Sequence, residues 1–201
     1  MKNHKNIIHG LITCFSLSIG IAQDPFIFDS TLSNILPQSI SNSIEVADVD
    51  NDGTNDIIFS GYDSTRFGVF LDVIKTSSTG SLQQGFSTNF VTYSDTIAEY
   101  LGGIGNIKLA DVNLDGSIDI YLNGSVMSKL MLNSSSGNFS QSNWLQNMFV
   151  TYSNGDWGDV NMDGKPDLFL MGVNEFTDQI LNELFITSIG NKKPLRKYNI
   201  E

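Results

Sequence analysis

Acidic and amide side chains recur in this chain at a spacing that suits the capture of a hard cation. The nine-residue pattern Asp-x-(Asp/Asn)-x-Asp-Gly-x-x-Asp occurs three times. The copies are Asp48-Val49-Asp50-Asn51-Asp52-Gly53-Thr54-Asn55-Asp56, Asp111-Val112-Asn113-Leu114-Asp115-Gly116-Ser117-Ile118-Asp119 and Asp159-Val160-Asn161-Met162-Asp163-Gly164-Lys165-Pro166-Asp167. Each crowds four oxygen-bearing side chains into one short loop between apolar stretches, with a glycine where the backbone must bend. Such a cluster is costly unless a cation neutralises it, and calcium takes about six to eight oxygen ligands of this kind. A solvated β-turn, in which Asp and Asn bond only their own backbone, accounts for one or two acids per loop but not four at fixed spacing.

The opening of each loop is shared with the EF-hand, which closes its site with a bidentate Glu at position twelve and a helix on each side. Here the twelfth positions are Phe59, Leu122 and Leu170, all apolar and all inside expected strands. The helix–loop–helix reading is excluded. A carboxylate at position nine takes the place of that Glu: Asp56, Asp119 and Asp167. The expected ligands are therefore the side chains of Asp48, Asp50, Asp52 and Asp56 in the first loop. They are Asp111, Asn113, Asp115 and Asp119 in the second, and Asp159, Asn161, Asp163 and Asp167 in the third. The carbonyls of Thr54, Ser117 and Lys165 would complete the three sites. Up to three Ca2+ ions are expected, with selectivity over magnesium left to geometry. On ligand charge alone, the first loop, with four carboxylates, is expected to bind tightest.

The segments that must hold these loops also repeat. Before the loops come Ile44–Ala47, Ile107–Ala110 and Gly155–Gly158, and after them Ile57–Gly61, Ile120–Gly124 and Leu168–Gly172. These short β-branched and aromatic runs closed by glycine read as strands. A third run follows in each unit, at Phe67–Ile74, Lys129–Leu132 and Glu183–Ile189. Phe86–Tyr93 and Asn147–Tyr152 are expected as fourth strands of the first two units. Asp178–Leu184 is the most helix-like stretch, but it is brief and runs into a strand pattern. The loops start at 48, 111 and 159, so they mark an array of supersecondary units rather than separate domains. The chain is expected to be all-β. Gly102-Gly103-Ile104-Gly105 is followed by neither a lysine nor a helix, and reads as a turn rather than a phosphate cradle.

The first 22 residues differ in kind. Lys2 and Lys5 precede a mostly apolar run, Ile7–Ile21, and Gly20-Ile21-Ala22 offers small residues before Gln23. That is the anatomy of a secretory signal peptide cleaved after Ala22. Thr13, Ser16 and Ser18 interrupt the run, which is short for a bilayer span. The mature protein is thus expected to be secreted, with no membrane insertion. His4, His9 and Cys14 all lie in the leader, so the remainder has neither histidine nor cysteine. That rules out disulfides, Cys/His zinc sites, thiol nucleophiles and imidazole bases in the mature chain. Nine basic residues then face 22 acidic ones, a net charge of −13, and ten of the acids sit in the three loops. A surface so acidic is a poor partner for nucleic acid or anionic membranes.

With their flanks, the loops resemble FG-GAP repeats and the related VCBS repeats, found in integrin α-subunit propellers and in secreted bacterial proteins. Trp157-Gly158-Asp159-Val160-Asn161-Met162-Asp163-Gly164-Lys165-Pro166-Asp167-Leu168 is similar to the family's core motif. Lys129–Asn133, Asn182–Ile186 and the turn Gly137-Asn138-Phe139 resemble its later strand and turn. The resemblance covers roughly residues 40 to 191 and implies β-propeller-type blades with calcium at each blade's edge. Three loops make an incomplete or open propeller, since a closed one has about four to eight blades. Residues 24 to 40 could add strands of another blade. After Asn191, the basic run Lys192-Lys193-Pro194-Leu195-Arg196-Lys197 changes the composition abruptly. The expected division is a signal peptide at 1–22, a repeat domain at 23–191, and at 192–201 a basic tail or the point where a longer array is cut.

Function is expected to be non-enzymatic: a secreted, calcium-binding module for extracellular adhesion or ligand binding, with an unidentified protein or glycan as partner at a loop face. Calcium would be structural. The alternative is a carbohydrate-binding or polysaccharide-degrading propeller of lyase or glycosidase type. Catalysis would then rest on carboxylates outside the loops, among them Glu45, Asp63, Asp95 and Glu99, and a glycosidase needs two facing one cleft. Trp144, Trp157, Tyr62, Tyr93, Tyr121 and Tyr152 could stack on sugars, although strand aromatics are usually core.

Overall fold

A computed structural model of the chain describes residues 40–63, 65, 68–92, 106–124, 128–145, 150–174, 177–188 and 195–198. All of them fall in one compact unit, Leu36–Glu201. They form three four-stranded antiparallel meanders, and no helix occurs among the described residues. The first blade is β1 (Ile40–Ala47), β2 (Asp56–Asp63), β3 (Gly68–Thr76) and β4 (Leu82–Thr92). The second is β5 (Asn106–Ala110), β6 (Asp119–Asn123), β7 (Ser128–Asn133) and β8 (Phe139–Gln141). The third is β9 (Val150–Gly158), β10 (Asp167–Asn174), β11 (Ile180–Thr187) and β12 (Leu195–Tyr198). The chain is all-β, built from propeller-type blades. Each acidic loop joins the first two strands of its blade.

Two fourth strands lie elsewhere than the sequence suggested. In the second blade it is β8, a strand of three residues paired with β7. Residues 150–152 of the expected strand Asn147–Tyr152 instead begin β9, and 147–149 lie outside the described residues. β8 holds one apolar residue, Phe139, so composition favours the longer apolar run ending at Tyr152, and only pairing assigns each to its sheet. In the third blade Leu195–Tyr198, within the stretch read as a basic tail, pairs with Thr187–Leu184 as the fourth strand. Lysine and arginine are tolerated on such an edge strand. In the helix-like stretch, Asp178 takes a positive φ of 52° and β11 begins at Ile180. Residues 24–39 and the glycine-rich run 102–105 lie outside the described residues.

The loop frame dictates how the blades stack. Position eleven, counted from the first Asp, is Ile58, Tyr121 and Phe169, and in the first two blades it faces the following blade. Positions ten and twelve face the preceding one, as a strand's alternation requires. Ile58, Val69, Leu71 and Val73 of the first blade therefore pack with Ile107, Ile120, Leu122 and Met131 of the second. Tyr121 and Leu130 of the second pack with Leu168, Leu170 and Phe185 of the third. Tyr121 also meets Trp157 edge to face, at 5.8 Å between ring centroids. On the far side of the third blade the same positions are open. Phe169 is 37% exposed and Met171 50%, against 0% for Ile58 and Tyr121.

Hydrogen bonds fix the register between blades. Ser43 accepts from Ile107 N at 3.0 Å, Asn133 Nδ2 donates to Val49 O at 2.7 Å, and Ser153 Oγ donates to Gly124 O at 3.0 Å. Leu122 is fully buried between the first and second blades. Leu122→Ala should cost about 2–5 kcal/mol in urea unfolding, the usual toll of a core cavity. The exposed Ile44→Ala should stay within about 0.5 kcal/mol. Equal costs would contradict this placement of the core.

Candidate metal centre

One geometry serves all three loops. The fourth and sixth positions have left-handed backbone: Asn51, Leu114 and Met162 at φ 57–59°, and Gly53, Gly116 and Gly164 at 81–87°. Glycine takes that conformation freely, whereas Leu114 and Met162 adopt it against their Cβ atoms. The first Asp stabilises the wrap. Its carboxylate accepts from the N–H groups of positions five and six in each loop: Asp52 and Gly53 onto Asp48, Asp115 and Gly116 onto Asp111, Asp163 and Gly164 onto Asp159, at 2.8–3.1 Å.

The ninth Asp is the structural key. One oxygen of Asp56 accepts from Val49 N at 3.1 Å and the other from Thr76 N, at the end of β3, at 2.8 Å. Asp119 repeats this with Val112 N and Asn133 N at 3.0 and 2.8 Å, and Asp167 with Val160 N and Thr187 N at 3.1 and 2.8 Å. A single buried carboxylate thus ties the loop to the end of the third strand. Burial pushes the Asp119 carboxyl up to about 6, against the pull of two backbone N–H bonds, with Asp115 and Asp111 adding repulsion. Burial likewise raises Asp56. A cation close by would relieve that penalty.

In the first loop, oxygens of Asp48, Asp50 and Asp56 lie within 4.8 Å of one another, so this triad could hold a metal ion. Among the described residues no other three carboxylates converge this way, because position three is an amide, Asn113 or Asn161, in the other loops. Asp50 Oδ1 is buried and has no hydrogen-bond partner, and a bound cation would satisfy it. In the second loop Ser117 Oγ is a similar buried orphan. The donor set is all oxygen, which suits a hard divalent cation.

The fifth-position carboxylates turn back on the loop. Asp52 accepts from Thr54 N and Oγ1, at 2.8 and 2.5 Å, and the Thr54 hydroxyl bond holds its carboxyl below the usual range. Asp115 accepts from Ser117 N at 2.9 Å and from Asn113 Nδ2 at 2.8 Å. Asp163 pairs with the Lys165 ammonium at 2.7 Å, which lowers its carboxyl. Asn113 and Asn161 each accept from the N–H of position five at 3.0 Å.

Sequence patterns passed over two contributors. Thr76, Asn133 and Thr187 donate their backbone N–H groups to the ninth carboxylate, and the recurrence of a short polar residue at the end of each third strand was the available signal. Lys75, on β3, lies 3.2 Å from Asp50 Oδ2. The aromatic sugar platforms are largely absorbed by the core: Tyr121 and Tyr62 are buried, and Trp144 and Trp157 half-buried. Tyr93 and the side chain of Tyr152 lie outside the described residues, as do Asp95 and Glu99. Asp63 is buried and accepts from Thr65 N and Oγ1 at 2.7 and 2.6 Å. Away from the loops, Lys108, Asn154, Gly155, Asp156, Phe169 and Met171 line a shallow groove of about 150 Å³, where Lys108 and Asp156 neutralise each other at 3.3 Å.

The family comparison agrees with this geometry. Residues 111–170, from the second acidic loop through the third, match the model of the FG-GAP-like repeat. The chain therefore carries an FG-GAP-type repeat. No curated protein matches it. A solved Agrocybe aegerita lectin, described as specifically recognising non-reducing terminal N-acetylglucosamine, is 21% identical with a TM-score of 0.46. The match covers 78% of this chain and 38% of that one, so this chain spans well under half of the lectin's length.

The ninth-position clamp yields a prediction that needs no metal. In excess chelator, Asp119→Ala should cost about 2–3 kcal/mol, because two backbone N–H groups lose their buried acceptor. The exposed Asp115→Ala should cost less than about 1 kcal/mol. Equal losses in chemical unfolding would contradict the clamp.

Proposed function

We propose that this protein is a secreted, calcium-stabilised repeat module that binds an extracellular protein or glycan, with calcium structural rather than catalytic. The observation that carries the metal reading is the convergence of Asp48, Asp50 and Asp56 within 4.8 Å, together with the buried Asp50 Oδ1 that has no partner. The all-oxygen donor sets of the two related loops support it. In each loop the side chains at positions one, three, five and nine would hold the ion, and the carbonyl of Thr54, Ser117 or Lys165 would complete the shell. What the ion supplies is positive charge at a cluster of four acidic and amide side chains. The chain's own bonds then fix the loop: the first Asp holds the wrap, and the ninth ties it to the third strand.

Secretion is supported by the leader-like residues 1–22. The non-enzymatic reading rests on the absence of histidine and cysteine after residue 22, and on the engagement of the loop carboxylates in backbone bonds. Binding is supported by the FG-GAP-type repeat, whose resemblance extends to adhesion proteins.

The full chain, freed of metal, should melt at a higher temperature as calcium is added. The gain should be about 2.7 kcal/mol per site once calcium reaches a hundred times its dissociation constant. Equimolar magnesium should give less. A melting curve indifferent to calcium and to chelator would overturn the metal reading. Release of reducing ends from a polysaccharide would overturn the non-enzymatic one.

A further inference from the structure

The three loops differ in a correlated way at two positions that lie far apart in sequence. Position three is Asp50 in the first loop and an asparagine, Asn113 or Asn161, in the others. The third-strand residue just before the clamped N–H is Lys75 in the first blade. In the others it is Leu132 and Ile186, as the equivalent bonds to Thr76, Asn133 and Thr187 fix. The blade with the extra carboxylate is thus the blade with the lysine. The two side chains meet: Lys75 Nζ lies 3.2 Å from Asp50 Oδ2, and both are largely buried, at 29% and 17% side-chain exposure.

Lys75 is seated rather than loosely paired. Its ammonium also donates to Ser136 O, in the turn between β7 and β8 of the second blade, at 2.6 Å. Its stem runs past two glycines. A Cβ at Gly85 would lie 2.9 Å from Lys75 Cγ, and one at Gly137 would lie 2.8 Å from Cε and 2.9 Å from Nζ. Any side chain at either position would push the lysine from its slot. Asp50 therefore offers Oδ2 to Lys75, while Oδ1 is buried without a partner, and the same carboxylate belongs to the acidic triad.

From this we infer that Lys75 is a built-in counter-cation of the first loop, one that weakens divalent-ion binding there and couples occupancy of that loop to the packing of the first blade on the second. The inference rests on the reading of the loops as calcium sites. It cancels the first loop's advantage by ligand charge: the fourth carboxylate there is already balanced by the protein's own ammonium, as Lys165 balances Asp163 in the third loop. A divalent ion must share Asp50 with Lys75. The repulsion between ion and ammonium loosens the Lys75–Ser136 bond, which spans the two blades.

The test is calcium titration calorimetry on the full chain, with Lys75→Leu, Asp50→Asn and their combination as a double-mutant cycle. Lys75→Leu copies Leu132. Lys75→Gln keeps the length and polarity of the head, and serves if the leucine variant fails to fold by circular dichroism. Lys75→Leu or Lys75→Gln should tighten one site about tenfold. That gain should vanish in the Asp50→Asn background. In chelator the same lysine variants should melt lower than the parent, because the triad loses its only close counter-charge among the described residues. Unchanged or weakened calcium affinity in folded lysine variants would overturn the inference while leaving the calcium reading intact. An equal gain with Asp50→Asn would overturn it too, since the effect would then be one of net charge. Absence of calcium binding in the parent would overturn both.

Discussion

Each blade hangs on one carboxylate wedged between two backbone donors. Asp56, Asp119 and Asp167 sit buried at the end of an acidic loop and at the start of a strand. They persist there because each accepts an N–H from the loop and another from the end of the third strand. That pair of bonds converts a local turn into a tertiary link across the sheet. Everything else in the loop follows from it. The first Asp wraps the backbone, the glycine permits the wrap, and in the first loop oxygens of Asp48, Asp50 and Asp56 are brought within 4.8 Å of one another.

The same residues set the stacking of the blades. Fixing the ninth Asp fixes the phase of the second strand, so that residues ten and twelve face backwards and residue eleven forwards. Ile58 and Tyr121 enter the next blade's core for that reason. Phe169 and Met171, at the same phase in the third blade, are left open. Polar residues then lock the stack at its edges, among them Asn133 bridging to Val49 and Lys75 bridging to Ser136. A charged loop and an apolar interface are thus two consequences of one register.

Much of this was legible in the sequence because the loop is local. Nine residues carry the wrap, the donor types and the strand phase, so the all-β class, the three repeats and the exclusion of an EF-hand needed no tertiary information. What escaped was non-local. The second blade's fourth strand was misplaced because Phe139–Gln141, with one apolar residue in three, carries little strand signal, whereas the more apolar run ending at Tyr152 pairs in the third blade. Leu195–Tyr198 looked like a tail because edge strands tolerate basic residues. Lys75 was invisible as part of the first loop, since 25 positions separate it from Asp50 in sequence and only the hairpin of β2 and β3 brings them together. Charge counting within the loop therefore leaves out the ammonium that lies beside Asp50.

The central claim is that these loops are cation sites with a defined stoichiometry rather than diffuse acidic surface. Native mass spectrometry of the purified chain, sprayed from a volatile buffer with micromolar calcium and millimolar magnesium, tests it most directly. The account predicts discrete calcium adducts up to three per chain, with one ion held to lower calcium concentration in the Lys75→Leu variant than in the parent. A broad, unsaturating ladder of mixed adducts, unchanged when Asp48, Asp111 and Asp159 are all replaced by asparagine, would contradict it.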